Sequence, residues 1–241
     1  MLSDVPSTTR SRATTGPQGR AAPTARRAGL ERTDVVDAAL AIVSADGADA
    51  LTMRRLATEL GVTTTTIYWH VGNREQLVVA VVERMAERLG DAPITGRDPR
   101  QRVHSAAVNI WRSASRHRNV TALASSIGAT TLLELPLEVA LLAELEQAGV
   151  RGAAARDALA TVLACVAGFL VTAWRPPERR PDGLRPSQIW ATVDDPRIPR
   201  STIRAVSRAV DLDRLAERAL RAIVVEHVPV SGATQEARSV E

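Results

Sequence analysis

Apolar residues recur at helical spacing over most of the chain, beginning just after residue 29. A first helix is predicted between Thr33, a suitable N-cap, and Gly47, where a helix ends readily. Its buried stripe follows the i, i+3, i+4, i+7 spacing and consists of Val36, Ala39, Leu40 and Val43. A second, short helix is predicted from Thr52 to Gly61, and Asn73 is placed to cap a longer third one.

The segment between these last two helices is ambiguous. Val62–Val71 is rich in β-branched and aromatic residues, so its propensities favour a strand. Its flanks favour a short helix, because a helix, a glycine and then a capped helix match the spacing of a helix-turn-helix. As a helix, the segment would turn Ile67 and Val71 inward. The exposed stripe, whose hydroxyl groups suit the DNA major groove, would consist of Thr64, Thr65 and Tyr68.

A cluster of helix-breaking residues, Gly90, Pro93, Gly96 and Pro99, separates this unit from a second run of predicted helices. The apolar stripes of the second unit are Val103, Ala107, Ile110 and Ala114; Leu137, Leu141, Leu145 and Ala148; and Leu212, Leu215, Ala216, Ala219 and Ile223. Prolines between residues 176 and 199 predict a long polar connection before the last stripe. The predicted fold class is therefore all-α, with an N-terminal three-helix unit and a C-terminal helical unit.

Charge is distributed unevenly along the chain. All 31 basic residues are arginine, and the net charge is +4. Residues 1–28 contain five arginines and one acid, whereas residues 29–90 contain six arginines and nine acids. A general basic field is therefore excluded as the way in which the folded part binds nucleic acid, and recognition must rest on individually placed residues. We expect residues 1–28 to be a disordered basic arm and residues 229–241 a disordered tail.

The side-chain chemistry argues against an enzyme or a metal protein. The chain has no lysine and no GxSxG or GxGxxG motif, and its four histidines form no metal-binding pattern with the single cysteine. That cysteine, Cys165, lies in an apolar run and is expected to fill the core. We expect no metal and no cofactor. Residues 1–30 lack the apolar stretch of a signal peptide, which predicts a cytoplasmic protein.

Residues 51–77 carry the clearest motif, LTMRRLATELGVTTTTIYWHVGNREQL. This stretch resembles the DNA-binding domain of the tetracycline repressor (TetR) family of bacterial regulators. The resemblance implies a helix-turn-helix domain at residues 29–90, with its motif at about residues 52–71. It also implies a helical effector-binding and dimerisation domain at residues 97–228.

The resemblance further implies which residues meet DNA. Arg54 matches an arginine that reaches a base edge, and Arg74 stands where the family usually has a phosphate-binding lysine. Gly72 replaces a commonly basic residue, which predicts one missing phosphate contact. The expected DNA-binding set is Thr52, Arg54, Thr64, Thr65, Thr66, Tyr68, His70 and Arg74.

Three residues in or beside this set have other interpretations. Trp69 is expected in the core of the domain rather than on DNA. His70 faces DNA in the expected set, but a core position is open to it as well. Arg55, next to Arg54, is expected to be a solvated surface charge.

The run Ala158–Trp174 is apolar throughout. It is shorter than the ~20 residues that a bilayer needs, so a membrane span is not favoured. Small residues recur in it every four positions and form one stripe: Ala160, Ala164, Gly168 and Thr172. A helix that is apolar all round is buried on all sides, so we expect a partner subunit to cover this stripe, with an intramolecular core as the alternative. In TetR-like proteins a helix in this region pairs with the last helix across a two-fold axis, which implies a homodimer.

In such proteins the ligand pocket lies between the helices of the second domain. His104, Val108 and Trp111 combine a hydrogen-bonding ring, an aliphatic group and a large aromatic group, and they are the candidate pocket. Equally open is a core position for Trp111 and a surface position for His104. The expected function is a repressor that a largely apolar small molecule releases from a pseudo-palindromic operator. A DNA-binding protein without a ligand, and a helical enzyme, are the alternatives.

Overall fold

The computed structural model describes residues 29–174 and 185–229. These residues form eleven α-helices and one 3-10 turn and contain no strand, which confirms the all-α prediction. The helices are α1 (Arg32–Asp46), α2 (Met53–Leu60), α3 (Thr64–Val71), α4 (Arg74–Gly90), α5 (Pro99–Arg116), α6 (Arg118–Ser126), α7 (Thr130–Gln147), α8 (Ala153–Ala173), α9 (Pro186–Ala191), α10 (Arg200–Val206) and α11 (Leu212–His227). The predicted arm at 1–28, the tail from residue 230 onward and the prolines between 176 and 181 lie outside the described residues.

Caps set the boundaries of the N-terminal helices. The prediction of Thr33 as the N-cap of α1 is wrong: Glu31 is the N-cap, because the Asp34 carboxylate accepts a hydrogen bond from its backbone N–H at 2.8 Å. Thr52 and Asn73 cap α2 and α4 as predicted. Their side-chain oxygens accept from the backbone N–H three residues later, at 3.1 and 2.8 Å.

The ambiguous segment is a helix. α3 packs on α1 and α2, and its inward residues Ile67 and Val71 are buried. Gly61 ends α2 in the left-handed region, with φ 67°, and Thr63 caps α3 by accepting from the Thr66 N–H. Burial of the two inward side chains outweighs the weak helix propensity of the threonines and aromatics.

An ion-pair network ties α1 to α4. Asp37 on α1 accepts from Arg84 at 2.7 and 3.1 Å and from Arg88 at 2.9 Å. The hydrogen bond from Arg84 is the main cause that lowers the pKa of Asp37 below its ordinary value. The stability that this carboxylate contributes is therefore present above its unfolded-state pKa and is lost as the pH falls through the lowered one.

The C-terminal unit is built on four long helices, α5, α7, α8 and α11, which pack side by side. Trp111 of α5 is fully inside: its Nε1 donates to the Asp213 carboxylate at 2.9 Å, and its ring meets Phe169 edge-on at 5.8 Å. The predicted stripe of α11 is only partly right. Its buried residues are Ala216, Leu220 and Val224, and Leu215 is exposed because the helix turns a different side to α5 and α8.

Two regions contain helices that the apolar pattern did not reveal. α6 is short and packs against α1, and the Asn119 side-chain amide donates to the Ser44 carbonyl at 3.0 Å. The α6 helix therefore joins the two units directly. α9 forms within the predicted polar connection and α10 directly after it; the two helices pack mainly on each other, and Ile203 of α10 is buried. Their few apolar residues were too sparse to give a periodic signal.

One ion pair of the C-terminal unit joins a buried carboxylate to a partly exposed guanidinium. Glu144 of α7 is buried, and both of its oxygens accept from the Arg102 guanidinium of α5, at 2.8 and 2.5 Å. The pair also raises the pKa of Arg102, mainly through the hydrogen bonds to Glu144. This two-point contact fixes the register of α5 against α7.

We predict that Arg102→Met lowers the melting temperature of the protein by several degrees, because it leaves the Glu144 carboxylate buried without its counter-charge. The double variant Arg102→Met/Glu144→Leu should recover most of the loss, since no charge is then buried. Arg112→Met is the matched control, as it breaks the more exposed Arg112–Glu217 pair and should change little. Equal melting temperatures for the three variants, measured by circular dichroism, would contradict this account.

Candidate nucleic-acid interface

The threonines at the start of α3 fall into two groups, one that holds the helix and one that faces outward. Thr63 and Thr66 share a hydroxyl–hydroxyl hydrogen bond of 2.9 Å, which holds the start of the helix. Thr64 and Thr65 point away from the core and are exposed. Of the predicted triplet, the structure therefore places Thr64 and Thr65 on the outer face and gives Thr66 a structural bond as well.

The aromatic residues of α3 extend this outer face. Tyr68 is 51% exposed and Trp69 is 82% exposed, so the prediction of Trp69 as a core residue is wrong. His70 is half-buried and meets the Trp69 ring edge-on at 4.8 Å. The signal that was available is the helical register: Trp69 follows the exposed Thr65 by four residues and so lies on the same side.

Exposed arginines stand at the beginnings of the two helices that flank α3. Arg54 lies in the first turn of α2, beside Thr52, and is exposed. Arg74 is the first residue of α4, and its guanidinium donates to the Ala48 carbonyl at 3.4 Å. Both positions combine the charge of an arginine with the positive end of a helix dipole, which favours a phosphate.

Gly72, between α3 and α4, is required by the backbone. Its φ is 71°, and a Cβ there would lie 1.8 Å from the Gln76 side-chain oxygen. That oxygen accepts from the Asn73 N–H at 3.0 Å and closes the cap of α4. A basic side chain at this position would break the cap, which is a physical reason for the departure from the family pattern.

Two acidic residues of the N-terminal unit, Asp37 and Asp46, are engaged in ion pairs with arginines. Asp46 pairs with Arg55, whose side chain is 41% exposed, so Arg55 lies at the surface as expected but has a carboxylate partner, and Asp37 pairs with Arg84 and Arg88. The α3 helix itself carries no charged residue, and α2 carries one acid, Glu59. The surface formed by Thr64, Thr65, Tyr68, Trp69, Arg54 and Arg74 is therefore neutral in its centre and cationic at its edges, despite the acidic balance of the unit.

The candidate pocket residues separate in the structure. His104 and Val108 line an open groove of about 580 Å³ between α5 and α11. Trp111 does not line that groove; it is part of the core and borders a smaller hollow of about 380 Å³ with Trp174 and Asp213. The three residues lie along one side of α5, where α11 packs lengthwise: His104 Nε2 is bonded to the Glu217 carbonyl and Trp111 Nε1 to the Asp213 carboxylate.

The small stripe of α8 lies on the surface of the single chain. Ala160, Ala164, Gly168 and Thr172 are all exposed, whereas Val162 and Val166 on the opposite side are buried against the body. One helix among the described residues, α8 itself, is long and apolar enough to cross a membrane by length and composition alone.

Comparison with known proteins finds relatives of the N-terminal unit. Residues 35–81 match the family model of bacterial regulatory proteins of the tetR family. The chain is 35% identical over 92 residues to the class D tetracycline repressor protein of Escherichia coli, a match that covers 37% of this chain and 42% of that protein. The chain thus matches less than half the length of this curated relative.

Solved structures share the whole fold. The transcriptional regulator SCO7222, a TetR from Streptomyces coelicolor, aligns over 82% of this chain and 97% of its own, with a TM-score of 0.65 and 20% identity. ActR of Streptomyces coelicolor, in complex with actinorhodin, aligns over 83% of this chain and 97% of its own, with a TM-score of 0.57 and 22% identity. At these identities the likeness concerns the fold.

We predict that Arg54→Ala lowers the affinity for an operator selected from random DNA by about tenfold or more, because a base-edge arginine contributes about 1–3 kcal/mol of discrimination. Arg74→Ala should weaken binding to all sequences and flatten the salt dependence by about one ion. Fluorescence anisotropy at several salt concentrations measures both effects. Arg55→Ala is the control, since Arg55 pairs with Asp46; if it cost as much affinity as Arg54→Ala, this assignment of the surface would be wrong.

Proposed function

We propose that this chain, a member of the TetR family of bacterial regulatory proteins by its N-terminal domain, is a transcription regulator that binds double-stranded DNA as a homodimer. The observation that carries the proposal is the surface of α3. Its exposed threonines and aromatics face outward with no charge among them, and exposed arginines flank them at the starts of α2 and α4. This arrangement suits a helix in the major groove with phosphates on either side.

We add Trp69 to the expected DNA-binding set and keep all of its other members. Thr64, Thr65 and Tyr68 are positioned to read base edges, and Trp69 adds a large exposed contact next to them. The Thr52 hydroxyl accepts a hydrogen bond from the Arg55 N–H, so Thr52 supports the start of α2, where a DNA phosphate is proposed to bind. Half-buried His70 supports the Trp69 ring, which leaves its own contact with DNA secondary.

The exposed side of α8 supports a two-fold dimer. Val171 is 70% exposed, and the stripe of small residues beside it allows another helix to approach closely. Leu215 of α11, which packs against α8, is exposed as well. A second copy covering both helices would hide this apolar surface and place two α3 helices on successive major grooves, about 34 Å apart. A bilayer is the other cover, but the buried side of α8 is already occupied by protein.

A small molecule bound in the C-terminal domain is proposed to release the DNA. The α6 helix contacts α1 as well as the C-terminal helices, so a shift of that domain reaches the DNA-binding unit through direct packing. ActR, which shares the fold, has been solved with actinorhodin bound. A ligand that disfavours the spacing of the two α3 helices on DNA lowers the affinity for the operator. The protein then acts as a cytoplasmic repressor that the ligand releases.

The experiment that tests the function is a selection of DNA from random fragments, followed by release with a diverse small-molecule set. The proposal expects a pseudo-palindromic operator and at least one compound that releases it. Recovery of no preferred sequence would overturn the DNA-reading function. A preferred operator that no compound releases would favour a regulator without a ligand.

We predict that Gly168→Leu converts the dimer to a monomer and abolishes operator binding, because a leucine would overpack the close helix contact. The chain itself tolerates the change, since nothing lies within 4 Å of a Cβ at Gly168. Light scattering gives the mass and circular dichroism the helix content, which should be unchanged. Ala154→Leu is the control, because it introduces the same leucine side chain at an exposed site of α8 about 21 Å away along the helix axis. A dimeric Gly168→Leu protein with full affinity would move the interface away from α8.

A further inference from the structure

The groove between α5 and α11 has the size of a small-molecule site. Its volume of about 580 Å³ lies within the roughly 300–1,000 Å³ of ligand pockets. Thr95 and Gly96, which belong to the connection from α4 to α5, form one of its edges. The Thr95 N–H donates to the Ser105 hydroxyl of α5 at 3.0 Å, which holds that edge against the helix. The groove therefore borders the segment that leads directly from the DNA-binding unit.

The three arginines of the groove differ in the hydrogen bonds and ion pairs that they make. Arg100 donates to the carbonyls of Val228 and Val225 at the end of α11, at 2.7 and 3.2 Å. Arg112 pairs with Glu217 at 2.7 Å. Arg221 is exposed and has no hydrogen bond or ion pair with any of the residues in 29–174 and 185–229. One guanidinium thus faces the groove with its donors available.

The two acids that line the groove are already engaged. The Asp98 carboxylate caps α5 by accepting from the Gln101 N–H at 2.9 Å, and Glu217 accepts from Arg112. His104 Nε2 lies 3.1 Å from the Glu217 carbonyl oxygen, which can only accept, so Nε2 carries a hydrogen and Nδ1 faces away from that bond. The three arginines and two acids of the groove leave a net charge of +1, and Arg221 is the guanidinium whose donors no described residue engages.

Apolar side chains complete the wall. Val108 and Val224 are buried at the base of the groove, and Val225 is half exposed beside them. A ligand that pairs with Arg221 would place its carbon skeleton against these valines. An anionic head with an apolar body satisfies both parts of the surface at once.

We propose that this groove binds a small amphipathic organic anion, with its carboxylate or phosphate on Arg221 and its apolar part on Val108, Val224 and Val225. As a statement of the effector class, the inference rests on the proposed regulatory function. It differs from the sequence-based expectation of a largely apolar ligand, because the α11 arginine reaches the groove only in the folded chain. A fork-shaped guanidinium binds either head group through two parallel hydrogen bonds.

The test uses the full-length protein and matched probes: octanoate against octanamide, and octyl phosphate against octanol. Binding is measured by calorimetry and by the shift in melting temperature, without DNA. The anions should bind and stabilise the protein, and their neutral counterparts should not. Arg221→Gln should weaken anion binding by about tenfold or more, the loss of one charge-assisted contact. Arg214→Gln, two turns earlier on α11 and outside the groove, should leave it unchanged.

The proposal is overturned if the anions do not bind or if their binding does not depend on charge and on Arg221. If neither anion binds, the groove is not an anion site. If the neutral counterparts bind as tightly, or Arg221→Gln has no effect, the contact is apolar and the guanidinium plays no part. A preference for octanoate over octyl phosphate, or the reverse, assigns the head group. Operator release is measured separately, so that anion binding without release counts against the proposed regulation and not against the site.

Discussion

The burial of Ile67 and Val71 beneath α3 is the interaction on which the outward surface of the N-terminal unit depends. α3 has eight residues, and a helix of that length is marginal on its own. Its threonines and aromatics have weak helix propensities, which cost up to about 0.7 kcal/mol each, whereas burial of a valine or isoleucine contributes about 1.5–3 kcal/mol. The fold of α1 and α2 therefore decides that this segment is helical. Only in that state do Tyr68 and Trp69 project from the same side as the threonines.

The same unit reconciles an acidic balance with a surface suited to DNA. Its acids are used within the fold: Asp37 ties α1 to α4, and Asp46 holds Arg55. The arginines that remain outside these pairs stand at helix N-termini, where the backbone adds to their attraction for phosphate. In the proposed complex with DNA, neutral side chains in the centre of the surface supply the sequence specificity, and a few charges at its edge supply the affinity.

Different functions are proposed for two sides of the C-terminal unit. α8 and α11 pack on each other, and their outward surfaces remain apolar in the single chain, which a second copy would cover. On the other side of α11, Arg221 opens onto the groove along α5. α11 is thus placed between the proposed dimer contact and the proposed ligand site, while α6 connects this unit to α1 through Asn119 and Ser44.

The sequence by itself determined the helical class, the boundaries of α2, the start of α4 and the outward positions of Thr64, Thr65 and Tyr68. These follow from periodicity and capping, which act over a few residues. Tertiary structure decided the rest. Trp69 is 82% exposed although His70 meets its ring edge-on, and Gly72 is required by the cap on Gln76. Trp111 is separated from His104 because it is buried in the core whereas His104 lines the groove, and Arg221 enters the groove from a helix more than a hundred residues away. Local pattern states which side of a helix is apolar, whereas only the packed chain decides which neighbour, if any, covers it.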